Sequence, residues 1–247
     1  MNRAYFGRSF AAVIVAGAIL PIVKPLDQPA SAQVTTPSPD REPAAPSVKL
    51  DDLPGDPAER LAIERMVSRG VMRPTSPSHF QPEAKNSLGD FIVSVQRMFA
   101  LKPSTQRPFF SDIGPDSPIF TAVQAVAPYL GRQILCPGCA LASKLLPDRA
   151  ATRAQAAVIL TKILMAESKL QLLGSGETDA VLARTTDAGK IPLSARPYVA
   201  TAIRADIIAP HRDGTISPNS ALTRANTAVL LDNVQRHFRL APLPRAQ

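Results

Sequence analysis

Tryptophan is absent from this 247-residue chain, and tyrosine occurs only three times. Single-stranded nucleic acid is held by stacking bases on aromatic rings above a basic track. Here the rings are few and the basic residues scattered, so nucleic acid is not an expected partner despite a formal net charge of +8. Histidine is equally sparse: His79, His211 and His237 are the full set. None stands at a recognisable spacing from a nucleophile, which leaves acyl-transfer and general-base chemistry without an evident home. Two cysteines make no zinc site without two further ligands, and the sequence supplies no second pair at the usual spacing. The chain reads as a non-enzyme with no metal and no cofactor. Long apolar runs are missing too. The run from Phe10 to Leu20 is shorter than the roughly 20 residues that span a bilayer.

That run stands instead in the order of a secretory leader. Arg3 and Arg8 precede it, and Ala30-Ser31-Ala32 offers a small-x-small cleavage site, so residues 1–32 are expected to be a signal peptide. Cleavage removes three cations (Arg3, Arg8, Lys24) and Asp27, leaving a formal charge of +6 and no transmembrane segment. A mildly basic exported protein suits anionic partners such as wall polymers. Residues 33–49 are rich in Pro, Ser, Thr and Ala, lack the apolar content for a core, and read as an extended tether. The stretch from 50 to 238 is long enough for one domain, and 239–247 is a tail.

Within that domain three segments repeat one another. Ser87-Leu88-Gly89-Asp90, Thr152-Arg153-Ala154-Gln155 and Thr223-Arg224-Ala225-Asn226 each come after an apolar-x-Pro step. The steps are Phe80-Gln81-Pro82, Leu145-Leu146-Pro147 and Ile216-Ser217-Pro218, and each Pro lies five residues before the Ser or Thr. The first and third copies superpose with a constant offset of 136: Ile63, Met66, Val67, Val71, Met72, Val95 and Met98 fall on Val199, Ala202, Ile203, Ile207, Ile208, Leu231 and Val234. Register kept that long marks one small supersecondary unit that cannot bury its apolar face alone. Each unit reads as helix, loop, helix. First helices are expected to start at Asp56-Pro57, Ser117-Pro118 and Ser194, and second helices at the Ser or Thr. Three such hairpins closing on a common axis give an all-α domain with pseudo-three-fold symmetry.

The motif divides into a structural part and an unexplained part. Thr152 with Gln155 is a capping box, and Ser87 with Asp90 and Thr223 with Asn226 are weaker versions of it. Arginine at 153 and 224 sits in the first helical turn, where a cation opposes the positive end of the helix dipole. Two readings account for it. Either each Arg holds an anion jointly with the free amides of the helix start, or it clasps a carboxylate such as Asp148, Asp213 or one from a neighbouring repeat.

The middle unit carries an insertion between Gly131 and Leu145 that contains Cys136-Pro137-Gly138-Cys139. In an exported setting a CxxC is a redox dithiol or a small disulfide. A redox site wants its first Cys at a helix start in a strand-helix context, and none is evident. A Cys136–Cys139 disulfide pinching the loop is the expected form.

Phe109-Phe110-Ser111-Asp112-Ile113, a helix, a loop, an apolar-x-Pro step and Thr152-Arg153-Ala154-Gln155 together resemble the S-layer homology (SLH) module. That family's pattern opens with Phe-x-Asp-hydrophobic and closes with Thr-Arg-Ala-Glu ahead of an apolar helix. The resemblance implies three tandem repeats, at 50–101 (degenerate), 109–165 and 186–238. It implies a pseudo-trimeric helical fold whose grooves between adjacent repeats bind an anionic cell-wall glycan or peptidoglycan-associated polymer, in the periplasm or cell envelope. Carried over residue by residue, the motif Arg falls on Arg153 and Arg224. The opening Asp falls on Asp52, Asp112 and Asp187, and the loop Gly on Gly214 after Asp213. Ligand contacts are therefore expected from Arg153, Arg224, Asp112, Asp213 and Gly214. Unit one has Leu88 in place of the Arg, and the motif Glu is replaced by Asp90, Gln155 and Asn226. Those departures keep open a second reading, a periplasmic interaction or structural module that retains the fold without the glycan.

Overall fold

Apolar residues at helical spacing become seven α-helices, and no strand, among the described residues. The computed structural model describes residues 49–105, 110–130 and 144–240. The expected signal peptide, most of the tether, the Cys136–Cys139 loop and the end of the tail lie outside them.

Unit one supplies α1 (Pro57–Ser68) and α2 (Leu88–Met98). Pro57 occupies the first helical position, and the Asp56 carboxylate accepts the Ala58 and Glu59 amides, satisfying two of the orphan donors of the helix start. Unit two supplies α3 (Phe120–Val126), which runs into a 3-10 turn, and α4 (Arg153–Ala166). Helix α5 (Ser175–Leu182) then precedes unit three, formed by α6 (Arg196–Arg204) and α7 (Arg224–His237).

Two expected helix starts lie further downstream. The Ser117 amide donates to Gly114 and that of Phe120 to Ser117, so consecutive turns hold the chain until Phe120, with no side-chain cap. Ser194 lies in a 3-10 turn, Leu193–Ala195, because the Pro192 carbonyl accepts both the Ala195 and Arg196 amides. Helix α5 has no counterpart among the elements expected from sequence. At its start the Glu177 side-chain carboxylate accepts the Gly174 amide at 3.4 Å.

Helices pair between units rather than within them. Helix α2 packs on α3, α4 on α6, and α7 on α1, so each unit's second helix meets the next unit's first and the last pair closes the ring. Each unit's apolar face is thus buried by its neighbour, as a repeat that cannot fold alone requires. The seams differ in polarity. Between α4 and α6 the Thr161 hydroxyl donates to the Tyr198 carbonyl. Between α1 and α7 the buried Asp232 carboxylate takes Arg65 at 3.2 Å and Arg236 at 2.9 Å.

At the centre the three units are tied by backbone. The Asn86 amide donates to Leu222 (2.8 Å), Leu222 to Ala151 (2.8 Å) and Ala151 back to Asn86 (2.9 Å), a closed ring of three hydrogen bonds. A second set runs from Leu88 to Arg149, Arg153 to Ser220 and Arg224 to Ala84. A third runs from Gly89 to Pro147, Ala154 to Pro218 and Ala225 to Pro82. These carbonyls satisfy the first two orphan amides of α2, α4 and α7. The units approach closely here: a Cβ on Gly89 would lie 3.2 Å from Pro147 Cβ and 3.1 Å from Ile119 Cδ1.

The apolar-x-Pro step has one conformation in all three units. Gln81, Leu146 and Ser217 adopt φ of +57°, +54° and +52°, a region costly for residues with a Cβ. A carboxylate over-determines it each time. Asp52 accepts the Phe80 and Gln81 amides, Asp112 those of Leu145 and Leu146, and Asp187 those of Ile216 and Ser217, all at 2.6–2.9 Å. Burial pushes the Asp52 carboxyl up, but those two amides, its own backbone and His79 outweigh it and hold the group below its ordinary value.

Candidate functional site

The repeated register of the second helices places a cap, a motif position and a unit boundary at one point in space. Ser87, Thr152 and Thr223 each accept the amide three residues on, from Asp90, Gln155 and Asn226. The Gln155 and Asn226 side chains reach back to the Thr152 and Thr223 amides, completing capping boxes. In unit one the Asp90 carboxylate instead accepts the Ser87 hydroxyl at 2.8 Å.

With neighbour carbonyls on the first two amides and the cap on the third, α4 and α7 begin without free amides. These helix starts leave no open amide for an anion to share with Arg153 or Arg224. The carboxylate clasp is corrected. Arg153 Nε donates to the Ile216 carbonyl at 2.7 Å and Nη2 to Ala209 at 2.8 Å. Arg224 does the same one unit on, to Phe80 at 2.7 Å and Arg73 at 2.6 Å. The partners are backbone carbonyls of the next unit, an arrangement indifferent to side-chain identity. Arg224 additionally lies 4.4 Å from the centroid of the Phe80 ring, a cation–π contact that Ile216 does not offer Arg153. Burial pushes both guanidiniums below their ordinary pKa, opposed by Asp187 at Arg153 and by Asp90 and Asp52 at Arg224. Leu88, the unit-one counterpart, is buried and apolar.

Beside Arg153 opens a cleft of about 410 Å³ formed where all three units meet. Its walls are the start of α1 with Asp56 and Glu59, the unit-three loop through Pro210 and His211, and the α7 face carrying Asn226 and Asn233. One guanidinium, two carboxylates, an imidazole and two carboxamides give it a mixed polar rim over an apolar floor that includes Ile207 and Leu222.

The remaining expected ligand residues lie elsewhere. Asp112 has both oxygens engaged by the Leu145 and Leu146 amides and acts as the loop staple of unit two. Asp213 accepts the Thr215 amide and hydroxyl, which hold its carboxyl below its ordinary value, and Gly214 adopts φ +79° in the same tight turn. Neither residue lines the cleft. Cys136 and Cys139 are outside the described residues. Sequence reasoning missed Asp56, Glu59 and Asn233 as cleft residues: Asp56 reads as a helix start, and outside the four-residue motif the repeats were compared at apolar positions. Among the described residues no group of three His, Cys, Asp or Glu converges as a metal site, and no helix is long and apolar enough to cross a membrane.

No curated protein matches the chain. Residues 184–228 match the family described as S-layer homology domain. That stretch holds the Asp187 staple, α6, the Arg153-facing loop, the Thr223 cap and Arg224, and it begins just after α5. The match supports the SLH family for unit three, a class of non-catalytic anchoring modules, and thereby associates this part of the chain with the cell envelope.

Proposed function

We propose that the chain is an exported, non-catalytic envelope protein that holds an anionic cell-wall glycan or peptidoglycan-linked polymer in grooves between three SLH repeats. In this reading residues 1–32 direct export, 33–49 tether, and 50–101, 109–165 and 186–238 are the repeats, with units one and two diverged beyond the family's pattern. The observation that carries the proposal is the coincidence of the family match with a unit boundary: the matched segment contains a motif Arg, Arg224, whose guanidinium bridges to two carbonyls of unit one. Units one and two share with it the Asp staple, the left-handed apolar-x-Pro step and the ring of amide-carbonyl bonds.

The test is co-sedimentation of the purified chain with native sacculi and with sacculi stripped of wall polymer by hydrofluoric acid. Binding to native sacculi that is lost on stripping is expected, and equal binding to both would overturn the reading. A second reading has one observation in its favour. Both motif arginines already hold backbone carbonyls, so the motif has a purely structural use. A structural or protein-interaction module would bind neither preparation.

A further inference from the structure

The two junctions that carry a motif Arg share a backbone and differ in charge. Under the 136-residue correspondence, Ala209 and Asn233 beside Arg153 become Arg73 and Arg97 beside Arg224. The Arg153 cleft therefore collects one guanidinium against Asp56 and Glu59. Arg224 is surrounded differently. Its Nη2 rests on the Arg73 carbonyl, Arg97 stands in α2 within Coulombic reach of Arg73, and Asp90 is the carboxylate that both Arg97 and Arg224 feel.

Two facts make this cluster a candidate site rather than a solvated face. First, no hydrogen bond or ion pair within the described residues holds the Arg73 or Arg97 guanidinium, whereas Arg224 is committed through Nε and Nη2. Second, the fold brings the two positions to one junction: their counterparts Ala209 and Asn233 line a single cleft, the Arg73 carbonyl holds Arg224 Nη2, and burial and then Arg73 push the Arg97 guanidinium below its ordinary pKa. The helix dipole explains a cation in the last turn of α2 but not a second one on the facing loop.

Resting on the wall-glycan reading, we infer that the groove at Arg224 is the anion-reading site, with Arg73 and Arg97 gripping a carboxylate or phosphate of the wall polymer while the cleft at Arg153 refuses it. The motif arginines then hold the units in register, and the rim arginines supply the two forked donor sets that an oxyanion accepts.

The experiment uses the molecule's own sibling groove as the template. Arg73→Ala with Arg97→Asn copies Ala209 and Asn233, residues already accommodated at the equivalent backbone positions, and leaves the residue-73 carbonyl in place for Arg224. With native sacculi at moderate salt, the double variant is expected to bind roughly a hundredfold more weakly, about tenfold per lost charge-assisted contact. The exposed Arg73→Ala alone is expected to lose about tenfold. Wild-type affinity in both Arg73 variants, with wild-type protein still preferring native over stripped sacculi, overturns this inference and leaves the glycan reading standing. Equal wild-type binding to native and stripped sacculi removes both.

Discussion

At the centre of the molecule Asn86, Leu222 and Ala151 close a ring of backbone hydrogen bonds, although their side chains have nothing in common. At the periphery the reverse holds: Arg97 and Asn233 occupy one backbone position in two units and differ in charge. The contrast separates what specifies the fold from what specifies a ligand. Amides, carbonyls and a carboxylate staple recur three times and tolerate any side chain that fits. Rim charge varies at a fixed position, as Arg97, Lys162 and Asn233 show ten residues after the three helix caps, because the backbone places no demand on it. A repeat protein of this kind diverges in function without disturbing its architecture.

The contrast breaks most visibly if the staple is removed. Asp187 is buried and holds two amides, one of them on buried Ile216. Asp187→Ala is expected to cost about 2–4 kcal/mol, because two donors lose their partner. The midpoint of urea unfolding reads this directly. Asp213→Ala, whose carboxylate serves only its own exposed turn, should move the midpoint little. Arg224→Met comes next, at about 1.5–3 kcal/mol for its loss of charged hydrogen bonds to two carbonyls. Arg153→Met should cost somewhat less, lacking a ring contact to lose. A pair of thermal melts ranks them.

A smaller effect is expected at the α1–α7 seam. Asp232→Asn leaves Arg65 and Arg236 without their carboxylate, but both side chains are partly exposed, at 33% and 56%, and recover water. About 1–2 kcal/mol is expected, well below the cost of breaking a fully buried pair. A double-mutant cycle with Arg65→Met isolates the coupling. Smallest is the pH response of the exposed-side staple. The Asp52 carboxyl is held below its ordinary value of 3.8 in the folded state. Its contribution is therefore fully present above that value and disappears as pH falls through the lower folded pKa. Asp52→Asn should flatten the acid limb of the stability–pH curve while leaving stability near neutrality closer to wild type than Asp187→Ala does.

Much of the scaffold was legible in the sequence. The Ser and Thr caps and the 136-residue register are local signals, and the helices they announce, α1, α2, α4 and α7, stand where the periodicity places them. Less local features were not legible. Pro118 reads as a first-position proline yet lies in a turn, since the Gly114 and Ser117 carbonyls capture the amides around it. Helix α5 hides behind Gly174 and Gly176, which lower its helical signal, and its start has no Ser, Thr, Asp or Asn cap. The partners of Arg153 and Arg224 are carbonyls of residues 56 to 151 positions away, and a carbonyl has no sequence signature. The rim was legible in principle. Arg73 against Ala209 and Arg97 against Asn233 stand in the aligned repeats once polar positions are compared as well as apolar ones.

If the backbone ring fixes the fold and rim charge alone fixes where the wall polymer sits, then moving the charge must move the binding. Starting from the Arg73→Ala, Arg97→Asn variant, the substitutions Ala209→Arg, Asn233→Arg and Glu59→Gln rebuild the cationic rim beside Arg153. The measurement is the Kd for native sacculi. Binding is expected to return to within a few-fold of wild type, with an unchanged melting temperature and no gain on stripped sacculi. A transplanted variant that melts like wild type yet binds no better than its parent would contradict this division between backbone and rim.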